Sequence, residues 1–157
     1  MPAEMIALEG TARYPKLFEF NRDMGSVKGV NGAKWDYPEA TVTDLVVDQD
    51  NMNILLEAHP DFSKYEPTEE GILIKGIKRT WNNAVNPAWG GEPSVVDADD
   101  NPWDPTVLIG NGSRVIVFAE VYPSSAPTGK SMRLLGVKVL EVVVPDLPDA
   151  PKLPWQN

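Results

Sequence analysis

In SRVIVFAEVYP, residues 113–123, apolar and larger or polar side chains alternate: Val115, Val117, Ala119 and Val121 point one way, Arg114, Ile116, Phe118, Glu120 and Tyr122 the other. This two-residue period is that of a strand with one face in a core. Four more segments read similarly. ARYPKLFEF (12–20) puts Tyr14, Lys16, Phe18 and Phe20 on one face, and ATVTDLVVD (40–48) is rich in β-branched residues. SMRLLGVKVLEVVV (131–144) is the closing strand. In GILIKGIKRTW (71–81) Ile72 and Ile74 share one face, while Leu73, Lys75, Ile77, Arg79 and Trp81 share the other. Lys78 faces away from Lys75 and Arg79 unless Gly76 introduces a bulge, which would invert the alternation. One helix is expected, through NMNILLEA, capped by Asp48 or Asp50 and ended by His59-Pro60.

The connections are long. NRDMGSVKGVNGAKWDYPE is a glycine-dotted loop, NNAVNPAWGGEPSVVDADDNPWDPT is far longer than an ordinary connection, SSAPTGK is a turn, and PDLPDAPKLPWQN is a proline-spaced tail. Fifteen prolines and twelve glycines punctuate the chain. Five strands, one helix after the second strand and no alternation of strand and helix predict a mainly β domain, a small closed or half-open barrel. Its 157 residues suffice for one core. The expected organisation is an N-terminal extension over residues 1–9, a domain over 10–144 and a flexible tail over 145–157.

Composition narrows the chemistry. Without cysteine, thiolate metal sites, disulfides and a cysteine nucleophile are excluded. The first residues lack the basic and apolar regions of a secretory signal, and no apolar run is long enough to span a membrane, so a cytoplasmic protein is expected. Asp97, Asp99 and Asp100 suggest a calcium loop, but Pro102 stands where the turn needs glycine and Leu108 where the closing glutamate belongs. His59 is the single histidine, with no nucleophile elbow beside it, and Gly129-Lys130-Ser131 lacks the first glycine of a phosphate loop. No enzyme, metal or cofactor is expected.

The formal net charge of −9 argues against contact with a polyanion at long range. The charge is segregated, however. Residues 10–35 carry five cations and two acids, 36–70 one cation and ten acids, 71–90 three cations and no acid, and 91–105 five acids and no cation. Aromatic residues accompany the cations: Tyr14 with Lys16, Trp35 with Lys34, Trp81 with Lys75 and Arg79, Tyr122 with Arg114. Single-stranded nucleic acid needs this pairing, since aromatic faces stack bases while cations follow the phosphates. Burial of each aromatic in the core would account for the same residues. So would a non-catalytic interaction module that grips a protein partner with the tryptophan-bearing loop and the proline tail.

ARYPKLFEF, GILIKGIKRTW with the following EPSVVDADDNPWD, and GNGSRVIVFAEVYPSSAPTGKSMRLLGVKVLEVV together resemble the OB-fold single-stranded DNA-binding proteins of tailed phages, the podovirus-type replication family, over most of residues 10–144. The resemblance implies a five-stranded OB barrel with one inserted helix. It implies sequence-independent binding and protection of single-stranded DNA in replication, recombination and repair, without catalysis. The expected DNA-binding set is Tyr14, Lys16, Lys34, Trp35, Lys75, Arg79, Trp81, Arg114, Tyr122, Lys130 and Arg133. Dimers, and contacts of the tail with a replicative polymerase and helicase, are also implied, through Asp146, Asp149 and Trp155. The tail departs from the family's acidic pattern, since Lys152 offsets its two acids and Trp155 lies two residues from the end.

Overall fold

In the computed structural model, which describes residues 3–24, 39–83, 85–145 and 155, the first strand lies earlier than ARYPKLFEF. Ile6, Leu8, Gly10 and Ala12 recur every second residue and are all buried, and they form the inner face of β1, Glu4–Lys16. Residues 4–9, expected as an extension, therefore belong to a strand. Tyr14, at φ 49°, and Pro15 break the register at the far end, and Phe18 turns inward while Phe20 stays exposed. Small side chains at Gly10 and Ala12 hid this period from a reading that sought large apolar residues.

The remaining strands are β2 Ala40–Val47, β3 Tyr65–Thr68, β4 Gly71–Thr80, β5 Ser94–Asp97, β6 Arg114–Pro123 and β7 Lys130–Glu141. They make one sheet in the order β3-β4-β2-β1-β6-β7-β5. β1 is shared: residues 4–11 pair with β6 and residues 10–16 with β2. A β carbon on Gly10 would lie 2.3 Å from the Val46 carbonyl oxygen, so this crossing requires glycine.

The architecture differs from the expected five-stranded barrel, closed or half-open, in its strand count and decides between the two forms. Seven strands are present, because β3 forms a short hairpin with β4 and β5 runs parallel to β7. All of β3 is exposed and it contains Pro67, while β5 is four residues inside the acidic loop, so neither carries a core period. The sheet is also not closed by a ladder, its edges being β3 and β5.

The helix α1, Gln49–Ala58, follows β2 as expected. Asp48 is its cap: the Asn51 amide donates to the Asp48 carboxylate at 2.9 Å, which holds that carboxyl below its ordinary pKa. Met52, Leu55 and Ala58 recur at helical spacing and pack α1 against β1. With Leu8, Leu45, Ile74, Ile77, Val117 and Leu134 they form one core. No helix among the described residues is long and apolar enough to cross a membrane.

Candidate nucleic-acid interface

The residue that decides the geometry of β4 is Gly76. Asp44 on β2 faces both Lys75 and Gly76, Gly76 has φ +67°, and its amide donates to the Asp44 carboxylate at 2.7 Å. This bulge shifts the alternation by one residue, so Ile74 and Ile77 are both buried and Lys78 turns to the outer face with Gly76 and Thr80. Lys75 is displaced toward β3, where its ammonium lies 3.1 Å from the Glu66 carboxylate.

A groove of about 420 Å³ runs over this outer face. One wall is β4, through Gly76, Lys78 and Thr80; the other is the β6–β7 turn and its flanks, Tyr122, Ala126 to Thr128 and Lys130 to Arg133. The segment after α1 closes one end with His59, Phe62, Ser63 and Lys64, and Asn83 and Trp89 stand at the other. The lining includes four cations, Lys64, Lys78, Lys130 and Arg133, and three aromatic rings, Phe62, Trp89 and Tyr122, with no carboxylate. In a chain with 23 acids, such a surface concentrates positive potential locally.

Each cation is held differently. Lys78 is exposed and makes no ion pair among the described residues. Lys130 donates to the Ala58 carbonyl at the end of α1, at 2.8 Å, where a positive charge suits the helix dipole. Arg133 is 9% exposed, with its guanidinium carbon 4.0 Å from the Tyr122 ring centre and 4.3 Å from that of Trp89. Its Nε lies 3.2 Å from the Glu120 carboxylate but out of line for a hydrogen bond, and so is buried without an acceptor. His59 is buried at the groove's edge, edge-on to Phe62, and burial, then the nearby Lys130, lowers its pKa; it is neutral at pH 7.

Of the residues expected from sequence, Tyr122, Lys130 and Arg133 come together in the groove. Lys16 lies beyond it on the same sheet face: it pairs with Val42, which pairs with Lys78, so the two lysines stand two strand spacings apart, on the order of 10 Å. Arg79 points inward and donates to three carbonyls, those of Ala88 (2.7 Å), Gly90 (3.1 Å) and Leu134 (3.3 Å). It thus spans the gap between β4 and β7 that no ladder closes, and fastens the loop carrying Trp89. Burial, then the neighbouring Arg133, lowers its pKa.

Trp81 does not line the groove; the Arg22 guanidinium covers its ring at 4.7 Å. Arg114 is paired with Glu9, and Tyr14 lines a separate depression with Ile109 and Val143. Lys34, Trp35, Asp146 and Asp149 lie outside the described residues, and Trp155 is exposed. Sequence reasoning missed Trp89, Phe62 and Lys64, which sit in connections where no period assigns a direction. For Lys78 the signal was present in the mid-strand Gly76.

Elsewhere, Trp103 packs against the core and donates from its indole nitrogen to the Val107 carbonyl at 3.0 Å. The Asp97 carboxylate accepts from the Asp99 and Asn101 amides, and Asp100 pairs with Lys138 at 3.0 Å. Among the described residues no three histidines or acids are grouped to hold a metal ion.

No protein-family model and no curated protein matches the chain. Among solved structures, the chain is similar to gp2.5, a single-stranded DNA binding protein encoded by bacteriophage T7, with a TM-score of 0.60 and 15% identity over 94% of this chain and 92% of that one. It is also similar to the single-stranded DNA-binding protein of bacteriophage Enc34 in complex with ssDNA, with a TM-score of 0.50 and 12% identity over 93% and 89%. These likenesses establish a shared fold across nearly the whole chain.

Proposed function

We propose that this protein binds single-stranded DNA without sequence preference and coats it during phage DNA replication, with recombination and repair as further settings of the same activity. The observation that carries the proposal is the carboxylate-free groove, whose four cations and three aromatic rings supply phosphate contacts and base-stacking surfaces side by side. Its fold is that of proteins whose names describe this activity. The proposed contact set is Lys64, Lys78, Lys130 and Arg133 for phosphates and Phe62, Trp89 and Tyr122 for bases, with Lys16 extending the track across β2. Arg79 serves by holding the groove's wall, and Lys75, Trp81, Arg114 and Tyr14 stand outside the groove.

Binding is stoichiometric and breaks no bond: it removes hairpins, shields the strand and presents it to replication enzymes in the host cytoplasm. Contacts of the tail with a polymerase and helicase, and a homodimer, belong to the same proposal. The rival reading as a protein-gripping module loses support from the long loop, because Trp103 packs into the core and Trp89 faces Arg133.

The test is tryptophan fluorescence during titration with a dT oligonucleotide of about 30 nucleotides at several salt concentrations, against duplex and RNA competitors. The expected result is salt-sensitive quenching by ssDNA and little by duplex, with a log–log slope of roughly −0.7 for each phosphate neutralised. Absence of binding at low salt would overturn the proposal.

A further inference from the structure

The Arg133 guanidinium lies over two rings at once, its carbon 4.0 Å from the centre of Tyr122 and 4.3 Å from that of Trp89. A guanidinium is planar, delocalised and stacks on aromatic faces, so here it fills a space shaped for a flat π system. We propose that the gap between Trp89 and Tyr122 is a nucleobase slot and that Arg133 is its resting occupant, displaced when a single strand enters the groove. The inference rests on the single-strand reading above and adds to it a defined base site held shut by the protein's own side chain.

Two observations make Arg133 a displaceable occupant rather than a fixed wall. Its Nε is buried without a hydrogen-bond acceptor, held only by the charge of Glu120 at 3.2 Å, and a buried donor left without its hydrogen bond is costly. The Arg133 guanidinium faces a second one, that of Arg79, whose pKa is lowered by burial and then by the like charge of Arg133, and whose donors are engaged by the carbonyls of Ala88, Gly90 and Leu134. A phosphate in the groove would give Arg133 both the acceptor it lacks and relief from that repulsion. Stacked aromatic pairs hold their centroids about 4.5–7 Å apart, so a base centred where the guanidinium carbon now lies needs the rings to part by a few tenths of an ångström or to sit offset. Trp89 is placed to give way: it is 39% exposed and sits in a three-residue turn, Pro87–Trp89.

The experiment follows the Arg133 side chain by NMR, in the whole protein, free and saturated with a dT oligonucleotide or with an abasic oligonucleotide of equal length. Over the Trp89 and Tyr122 rings the δ protons and Nε–H of Arg133 are shifted upfield by ring currents. Binding dT is expected to return them to ordinary positions, and the abasic strand to do so only partly. In parallel, the ratio of dT to abasic affinity should fall in Trp89→Leu/Tyr122→Leu by roughly five-fold to 150-fold, the stacking of one base. If dT binds while Arg133 remains shielded, the slot is refuted and the groove reading stands. If neither oligonucleotide binds, the groove reading fails and the slot with it.

Discussion

Replacing Arg79 separates two roles that the sequence leaves confounded. As a phosphate ligand, Arg79→Ala would lower the salt slope of binding by about 0.7 and leave folding untouched. As the latch seen here, it donates to one carbonyl across the β4–β7 gap, that of Leu134, and to two in the loop carrying Trp89, each a hydrogen bond from a charged donor. Such bonds are worth about 1.5–3 kcal/mol singly, but the side chain is only partly buried and water can replace some of what is lost, so we expect a total near 3 kcal/mol. For a chain of this size that corresponds to roughly 6–12 °C in Tm. Arg79→Lys, with one ammonium for three acceptors, should recover less than half. Urea unfolding and oligonucleotide titration of the same samples decide the matter. The latch predicts a large loss of stability, weaker binding through misplacement of Trp89, and an unchanged salt slope. A variant as stable as the parent with a shallower slope would refute it.

Lys78→Ala should reduce the log–log salt slope by about 0.7, whereas Lys75→Ala, which removes a lysine already engaged with an exposed glutamate, should leave it unchanged; parallel titrations at four salt concentrations compare them. Gly76→Ala meets open space but must hold φ +67°, so a loss of about 1–2 kcal/mol is expected in urea unfolding, and a neutral outcome would show that β4 can pair without the bulge. His59 has its pKa lowered in the folded protein, so below about pH 6.5 the unfolded chain takes up a proton that the fold resists. Stability should therefore decline as pH falls from that value through the folded pKa, and His59→Gln should flatten the decline in urea midpoints measured between pH 7.5 and 5.5.

The sequence was most legible where one face of a strand meets the core. The alternation of β6 is found as read, and α1 begins at Asp48 and ends at His59-Pro60 because capping and proline are local effects. Legibility failed where direction depends on a partner far along the chain. Whether Lys75 or Lys78 faces the groove depends on Gly76 bulging against Asp44, 32 residues earlier. Whether Arg79 meets solvent or backbone depends on Leu134, 55 residues later. The place of Trp89 follows from both, because its loop is fastened by Arg79 and its ring rests on Arg133. A period of two carries no trace of these contacts, which is why the cations of β4 were identified as a group while the direction of each was not.

The same contacts explain how an acidic chain could hold a polyanion on the proposed reading. At physiological ionic strength charges beyond about 8 Å are largely screened, so what a bound strand feels is the groove's own lining rather than the net charge. The lining residues include no carboxylate, while nearby acids are already engaged: Glu66 by Lys75, Glu70 by Arg13, Asp44 by the Gly76 amide, and Glu120, beneath the lining, by Arg133. Lys75 is thus better understood as neutralising a neighbouring acid than as gripping the strand. A duplex presents its bases to each other rather than to Phe62, Trp89 and Tyr122, so it would gain only the cationic contacts while meeting the acidic body around the groove. Preference for single strands then follows from stacking that only unpaired bases can make, with the surplus of acids serving to weaken every less complementary polyanion.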